Sequence, residues 1–334
     1  MRVGQSYART DPGRKRRGNE DAFVLQPPLF AIADGMGGAQ AGEVASALAA
    51  EALTDVTVHG SAERRVVTLI QEANRRVHER ASTDATTSGM GTTMTVALVD
   101  DGRVTIGHVG DSRAYLLRGE ELEQLTDDHS LVAELVRRGE LSPAEAEVHP
   151  QRSVITRALG TDPDIDVDTF SIAAEPGDIY LICSDGLSDM VDQEAIGSIL
   201  RANRDDLEAA SKALVQAANR AGGEDNITAV LFEISGDAAA REPDEATREI
   251  AAVHVDDEDT LHPEDHVLPP PSVGAPKDDT MVVPAAAIAA QATLQTAEGE
   301  EQPEAGLGRR LLALAVIVAL CALIVALVWW GLAR

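Results

Sequence analysis

Aromatic residues are scarce in this chain. They make up 3% of its 334 residues, as four Phe, three Tyr and two Trp. Any core must therefore be built from Val, Leu, Ile and Ala, and a hydrophobic content of 44% is enough to build one. Cysteine is rarer still. Cys183 and Cys321 alone exclude a disulfide framework and a Cys-based zinc site. Positive charge is also short: 28 Lys and Arg stand against 56 Asp and Glu, a formal net charge of −28. Such a surface repels nucleic-acid phosphates, which argues against a nucleic-acid partner and against a two-metal nuclease.

Several catalytic signatures are missing too. A thiol-dependent phosphatase needs an Arg six positions after its Cys, but position 189 after Cys183 is Asp. Cys183 lies in an apolar run and reads as a core thiol. Gly13 to Gly18 has the spacing of a P-loop but continues into Asn19-Glu20 instead of Lys-Ser/Thr. Gly110-Asp111-Ser112-Arg113-Ala114 lacks the final Gly of a nucleophile elbow, so Ser112 is a poor nucleophile. Met1-Arg2-Val3-Gly4-Gln5 has no apolar signal-peptide core.

The chain divides into three zones. Residues 1–236 alternate apolar runs with turn signals and read as one folded domain. Residues 237–308 carry 17 acidic residues against Arg241, Arg248 and Lys277, and no aromatic. Such a stretch buries too little apolar surface to offset its ordering entropy, so an acidic disordered linker of roughly 45 Å reach is expected. Residues 311–330 contain no charge. Twenty such residues make a helix of about 30 Å, the thickness of a bilayer core, so a transmembrane helix is expected. Trp329 and Trp330 suit one interface. Arg309 and Arg310 against Arg334 place the N-terminal side in the cytoplasm. A single-pass protein of the cell membrane with a cytoplasmic domain follows.

Within 1–236 the apolar runs predict strands at 29–33, 92–99, 104–109, 114–117, 122–125, 178–183 and 226–234. Helices are expected at 41–54, 62–80, 130–138, 192–201 and 205–220. Asp100-Asp101-Gly102 and Arg118-Gly119-Glu120 join neighbouring strands as hairpins. Short hairpin connections argue for an α+β fold with largely antiparallel sheets, and against a doubly wound parallel one.

What the sequence does have is aspartate beside glycine. Arg16-Arg17-Gly18-Asn19-Glu20-Asp21, Asp34-Gly35-Met36-Gly37-Gly38, Gly110-Asp111-Ser112-Arg113, Ser184-Asp185-Gly186 and Gly222-Gly223-Glu224-Asp225-Asn226 recur along the domain. Asp34, Asp111 and Asp185 are expected directly after strands. A strand end holds a carboxylate rigidly, and hard divalent cations take oxygen ligands from carboxylates, carbonyls and water. Any one Asp-Gly pair is more often a turn, and Asp100-Asp101-Gly102 is read as one.

Together with Gly91-Thr92-Thr93 and Asp225-Asn226-Ile227-Thr228, these segments resemble in order and spacing the metal-dependent protein phosphatases. That is the type 2C serine/threonine class in its bacterial form. The resemblance covers residues 1 to about 235. It implies a four-layer α-β-β-α sandwich with a metal centre between its sheets. It implies two Mn²⁺ or Mg²⁺ ions, with Asp34 bridging, Asp185 and Asp225 completing one, and Asp21 with the Gly35 carbonyl serving the other beside Glu20. Asp111 would hold a third, weaker ion shared with Asp185. Arg16 would grip the substrate phosphate, since its fork of donors suits a phosphate dianion. The implied activity is hydrolysis of phosphoserine and phosphothreonine in proteins, by water between the two metals and without a phosphoenzyme. The implied partners are a Ser/Thr protein kinase and its substrates. Eukaryotic relatives have His where this chain has Met36, so the proton donor is unassigned; His129 is expected to be structural. Leu141 to Gly160 resembles the mobile flap of the family, with Ser142-Pro143 opening a helix. The alternative from another class is a non-catalytic phosphoprotein scaffold at the membrane.

Overall fold

The computed structural model describes residues 1–37, 41–236 and 281–282. The chain begins with β1 (Arg2–Asp11), β2 (Asp21–Gln26) and β3 (Leu29–Met36), then α1 (Ala41–Asp55) and α2 (Ala62–Thr83). Next come β4 (Gly91–Thr92), β5 (Met94–Asp100), β6 (Arg103–Val109), β7 (Arg113–Arg118) and β8 (Glu121–Gln124). They are followed by α3 (Leu131–Arg137), α4 (Pro143–Glu147), β9 (Val154–Ile155), β10 (Asp168–Ala173) and β11 (Ile179–Cys183). The series ends with α5 (Asp185–Ser188), α6 (Gln193–Ala202), α7 (Leu207–Ala221), β12 (Ile227–Ser235) and β13 (Met281–Val282).

Strand alternation explains the layers. One sheet runs β1-β12-β11-β7-β8 and the other β10-β6-β5-β3-β2, with β4 on β3. In β3, Phe30 and Ile32 point one way, Ala31 and Ala33 the other. Phe30, Ile32 and Ile106 meet Leu116, Tyr180, Ile182 and Phe232 between the sheets. The few aromatics are concentrated here: Phe232 stacks on Phe30 at 4.1 Å and on Tyr180 at 4.9 Å. Ala31 and Ala33 instead face Ala45 and Ala49 of α1, with Val66 and Ile70 of α2 in the same cluster. On the far side, Leu117, Leu181 and Leu231 cover Ile196 and Leu200 of α6 and Leu214 of α7. The layer order is thus α-β-β-α, with antiparallel pairing throughout both sheets. Cys183 is a buried free thiol of the outer core, as expected.

The expected hairpins are present. Asp101 and Gly102, at φ 45° and 72°, turn β5 into β6 with the left-handed pair a tight hairpin requires. β1, β2 and β10 were not expected. β1 and β10 are edge strands of mixed polarity, and neither presents an apolar run for periodicity to find. Asp34 was expected to follow a strand, but it lies inside β3, because pairing with β4 extends that strand to Met36.

The expected membrane span at 311–330 lies outside the described residues; among those described, no helix is long and apolar enough to cross a membrane. Most of the expected linker, 237–308, also lies outside them. Two of its residues, Met281 and Val282, do form a strand, parallel to β9.

Candidate metal-binding active site

The strand ends of both sheets converge on one pocket. β2 and β3 set Asp21 directly opposite Asp34. Asp111 comes from the loop between β6 and β7, Asp185 from the first residue of α5 after β11, and Asp225 from the approach to β12. Arg16, Glu20, Asp34, Gly35, Asp111, Asp185 and Asp225 all line the pocket, with Met36 and Thr93. Asp21 is not among these lining residues. It sits behind them, its Oδ2 accepting from Ser184 Oγ at 2.9 Å and Thr228 Oγ1 at 2.5 Å. At Gly35 the chain is too crowded for any side chain: a Cβ there would overlap the carbonyl oxygens of Gly42 and Glu20.

Charge is what makes the site unusual. Burial pushes the Asp34 carboxyl well above the ordinary range, and Asp21, Asp185, Asp225 and Asp111 raise it further. Asp185 is raised well above it by burial and by Asp111, Asp189, Asp225 and Asp21. Burial also lifts Asp21 to about 6 and, with Asp128 and Asp189, Asp111 to about 7. Two buried oxygens, Asp21 Oδ1 and Asp185 Oδ1, have no donor at all. A buried carboxylate oxygen without a donor is costly unless a cation meets it. The donor set therefore fits hard divalent ions. Among the described residues, no three His, Cys, Asp or Glu side chains close round a single point as a full protein cage would. Carboxylates spaced round a pocket wall suit ions that keep part of their water.

Side chains that the motifs contained without a stated role hold this arrangement. Thr93 Oγ1 accepts from the Asp34 amide at 3.0 Å and contacts Ser112 Oγ at 2.8 Å, which confines Ser112 to a structural role. Asp189 joins the Asp111–Asp185 group from one helical turn beyond Asp185, a spacing of four that could have flagged it. Asn226 is buried. Its Nδ2 donates to Pro12 O at 3.0 Å and Gly18 O at 2.9 Å, and its Oδ1 accepts from the Glu20 amide at 2.8 Å. These bonds fasten the loop that carries Arg16, whose Nη2 donates to Asp225 Oδ2 at 2.7 Å. Asn226→Ala is expected to lower stability by about 2–4 kcal/mol and raise KM for a phosphopeptide more than it lowers kcat. Urea melts and steady-state kinetics check this, and an unchanged KM would count against it.

His129 is structural, as expected. Its Nδ1 accepts from the Gly110 amide at 3.0 Å, so Nε2 carries the proton and donates to Asp168 Oδ2 at 3.1 Å. Burial lowers its pKa and keeps it neutral. The His thus braces the loop before Asp111. Its neighbour Ser130 caps α3, accepting from the Ala133 amide. Where the flap was expected, Ser142 caps α4 in a capping box. Ile155 of β9 packs with Met36 and Ala158 against the pocket.

Comparison with known proteins agrees with this geometry. Residues 18–232 match the family model for protein phosphatase 2C. The serine/threonine phosphatase stp of Listeria innocua is 41% identical over 237 residues, 67% of this chain and 94% of that one. The protein phosphatase PhpP of Streptococcus pneumoniae is 38% identical over 239 residues, 68% of this chain and 96% of that one. The crystal structure of the serine/threonine phosphatase PstP/Ppp of Mycobacterium tuberculosis superposes with a TM-score of 0.66 at 39% identity, covering 70% of this chain and all of that one. A structure of the PstP catalytic domain in complex with two manganese ions gives 0.65 at 36% identity, over 71% of this chain and all of that one. The chain belongs to the protein phosphatase 2C family. It is a protein serine/threonine phosphatase.

Proposed function

We propose that this phosphatase uses Mn²⁺ or Mg²⁺ held by the aspartate pocket to hydrolyse phosphoserine and phosphothreonine, opposing a Ser/Thr protein kinase at the cell membrane. The observation that carries the metal assignment is the pair of donorless oxygens, Asp21 Oδ1 and Asp185 Oδ1, within a cluster of mutually repelling carboxylates. Asp34, Asp185 and Asp225 would hold one ion, and Asp34, Asp21 and the Gly35 carbonyl the other, beside Glu20. Asp111 with Asp185 would hold a third, weaker one. Bound there, divalent ions supply a water of lowered pKa and neutralise phosphoryl oxygens.

The chain's own residues do the rest. Arg16 spends one bond on Asp225, and its fork has further N–H groups for a phosphate. Thr93 holds the backbone at Asp34, and Ser184 and Thr228 hold Asp21, so the carboxylates keep their positions as substrate arrives. Met36 offers no proton at the pocket, and neutral His129 is committed to Gly110 and Asp168.

The test is phosphopeptide hydrolysis with Mn²⁺ and then with excess EDTA. Asp185→Asn is expected to lose at least about a thousandfold in kcat/KM. Turnover that survives chelation would overturn the metal assignment. The membrane placement is supported by the uncharged stretch 311–330 and by Arg309 and Arg310 before it. Protease added outside intact cells is expected to spare the domain, and its digestion there would reverse the orientation.

A further inference from the structure

β9 is a short strand with two different edges. On one edge it bridges Ser130, and the Thr156 amide donates to His129 O at 2.8 Å. Successive amides of a strand point to opposite edges, so the Ile155 amide faces the other side. That side is where Met281 and Val282 lie, in parallel register with Val154 and Ile155. Ile155 is also a wall of the active-site pocket, buried against Met36. The outer edge of β9 therefore runs along the rim of the phosphatase site.

We propose that this edge of β9 is the peptide-docking edge of the active site, and that the chain's own Met281–Val282 strand occupies it as a built-in competitor of the phosphopeptide. The proposal rests on the phosphatase assignment above. An exposed strand edge takes an extended peptide by main-chain hydrogen bonds, with little demand on its sequence. That is what a phosphatase acting on varied phosphopeptides needs beside its metal pocket. The competing strand is Met281-Val282, which in the sequence follows the acidic pair Asp278-Asp279 and opens a β-favouring run. Two cations stand near β9 among the pocket's carboxylates: Arg16 lines the pocket, paired with Asp225, and Arg152, two residues before β9, acts electrostatically on Asp189 and Glu224. A ladder of two residues is weak enough for substrate to displace. It belongs to the same chain, so dilution does not remove it.

The test is the full-length protein with both residues replaced, Met281→Pro and Val282→Pro, which removes both backbone donors of the strand. KM for a phosphothreonine peptide is expected to fall about two- to tenfold with kcat unchanged. Turnover of para-nitrophenyl phosphate, too small to need a strand edge, is expected to stay the same. Amide hydrogen exchange is expected to quicken at Ile155 and stay slow at Thr156. An unchanged peptide KM, an increased one, or an unchanged Ile155 amide would each overturn the proposal. Failure of the wild-type protein to hydrolyse either substrate with Mn²⁺ would instead strike the assignment of the site, and Ile155 exchange would still decide whether the strand docks.

Discussion

Asp34→Asn is expected to reduce phosphopeptide hydrolysis by about a thousandfold or more, and at the same time to raise the melting temperature of the metal-free protein. The two effects share one cause. Asp34 is the carboxylate on which Asp21, Asp185, Asp225 and Asp111 all act, each raising its pKa. Without cations, ionising it means placing a buried charge among four like charges. Its main chain is held by bonds to Thr93 Oγ1 from the amide and from Thr92 Oγ1 and the Thr93 amide to the carbonyl, and its carboxyl contacts that of Asp21. An Asn keeps the main-chain bonds, can still hydrogen-bond Asp21, and removes the ionisable group. Relief on the order of 1–3 kcal/mol corresponds to a rise of about 2–12 °C for a domain of this size. On the proposed assignment that carboxylate would also hold both cations, so the activity is expected to go with it. The check is a thermal melt in EDTA beside kinetics in Mn²⁺. A variant that melts lower than wild type in EDTA, or keeps more than a tenth of its activity, would show that Asp34 is an ordinary structural residue.

The second expected result concerns pH and metal together. Asp21 moves from 3.8 to about 6 and Asp111 from 3.8 to about 7, both upward and both chiefly by burial. A group whose folded pKa is raised favours the folded state most below its unfolded value and loses that contribution as pH rises through the folded value. The metal-free protein is therefore expected to lose stability between about pH 4 and pH 7, by several kcal/mol in total. Proteins whose carboxylates are salt-bridged show the opposite slope. Divalent cations should reverse it, since they bind the ionised carboxylates. At a hundred times Kd they add about 2.7 kcal/mol, or about 5–10 °C, and the gain should be larger at pH 7.5 than at pH 5.5. Scanning calorimetry with EDTA and with Mn²⁺ at both values measures this. A metal-free melting temperature that rises from pH 5.5 to 7.5 would contradict it.

The fold was legible where local physics decides it. The hairpin at Asp101-Gly102 needs two left-handed residues, and the sequence there supplies them. The cap Ser142 announced α4. β1 was illegible because its residues alternate only between half-buried and exposed, and what makes it a strand is its long pairing with β12. Met281–Val282 was hidden inside an acidic stretch, because its order comes from the free edge of β9 and from no property of the surrounding composition.

The aspartates follow the same division. The residue types, their glycine neighbours and their order along the chain were in the sequence, and so was the class of chemistry they permit. The sequence could not say which carboxylates would repel one another. Asp21 and Asp34 face each other only because β2 and β3 pair in that register. Asp111, Asp185 and Asp225 reach the same pocket only because two sheets stack with those strand ends together. Burial and mutual repulsion depend on distances between segments far apart in the chain. Those distances, which turn ordinary aspartates into carboxylates in need of a cation, were decided by the tertiary structure alone.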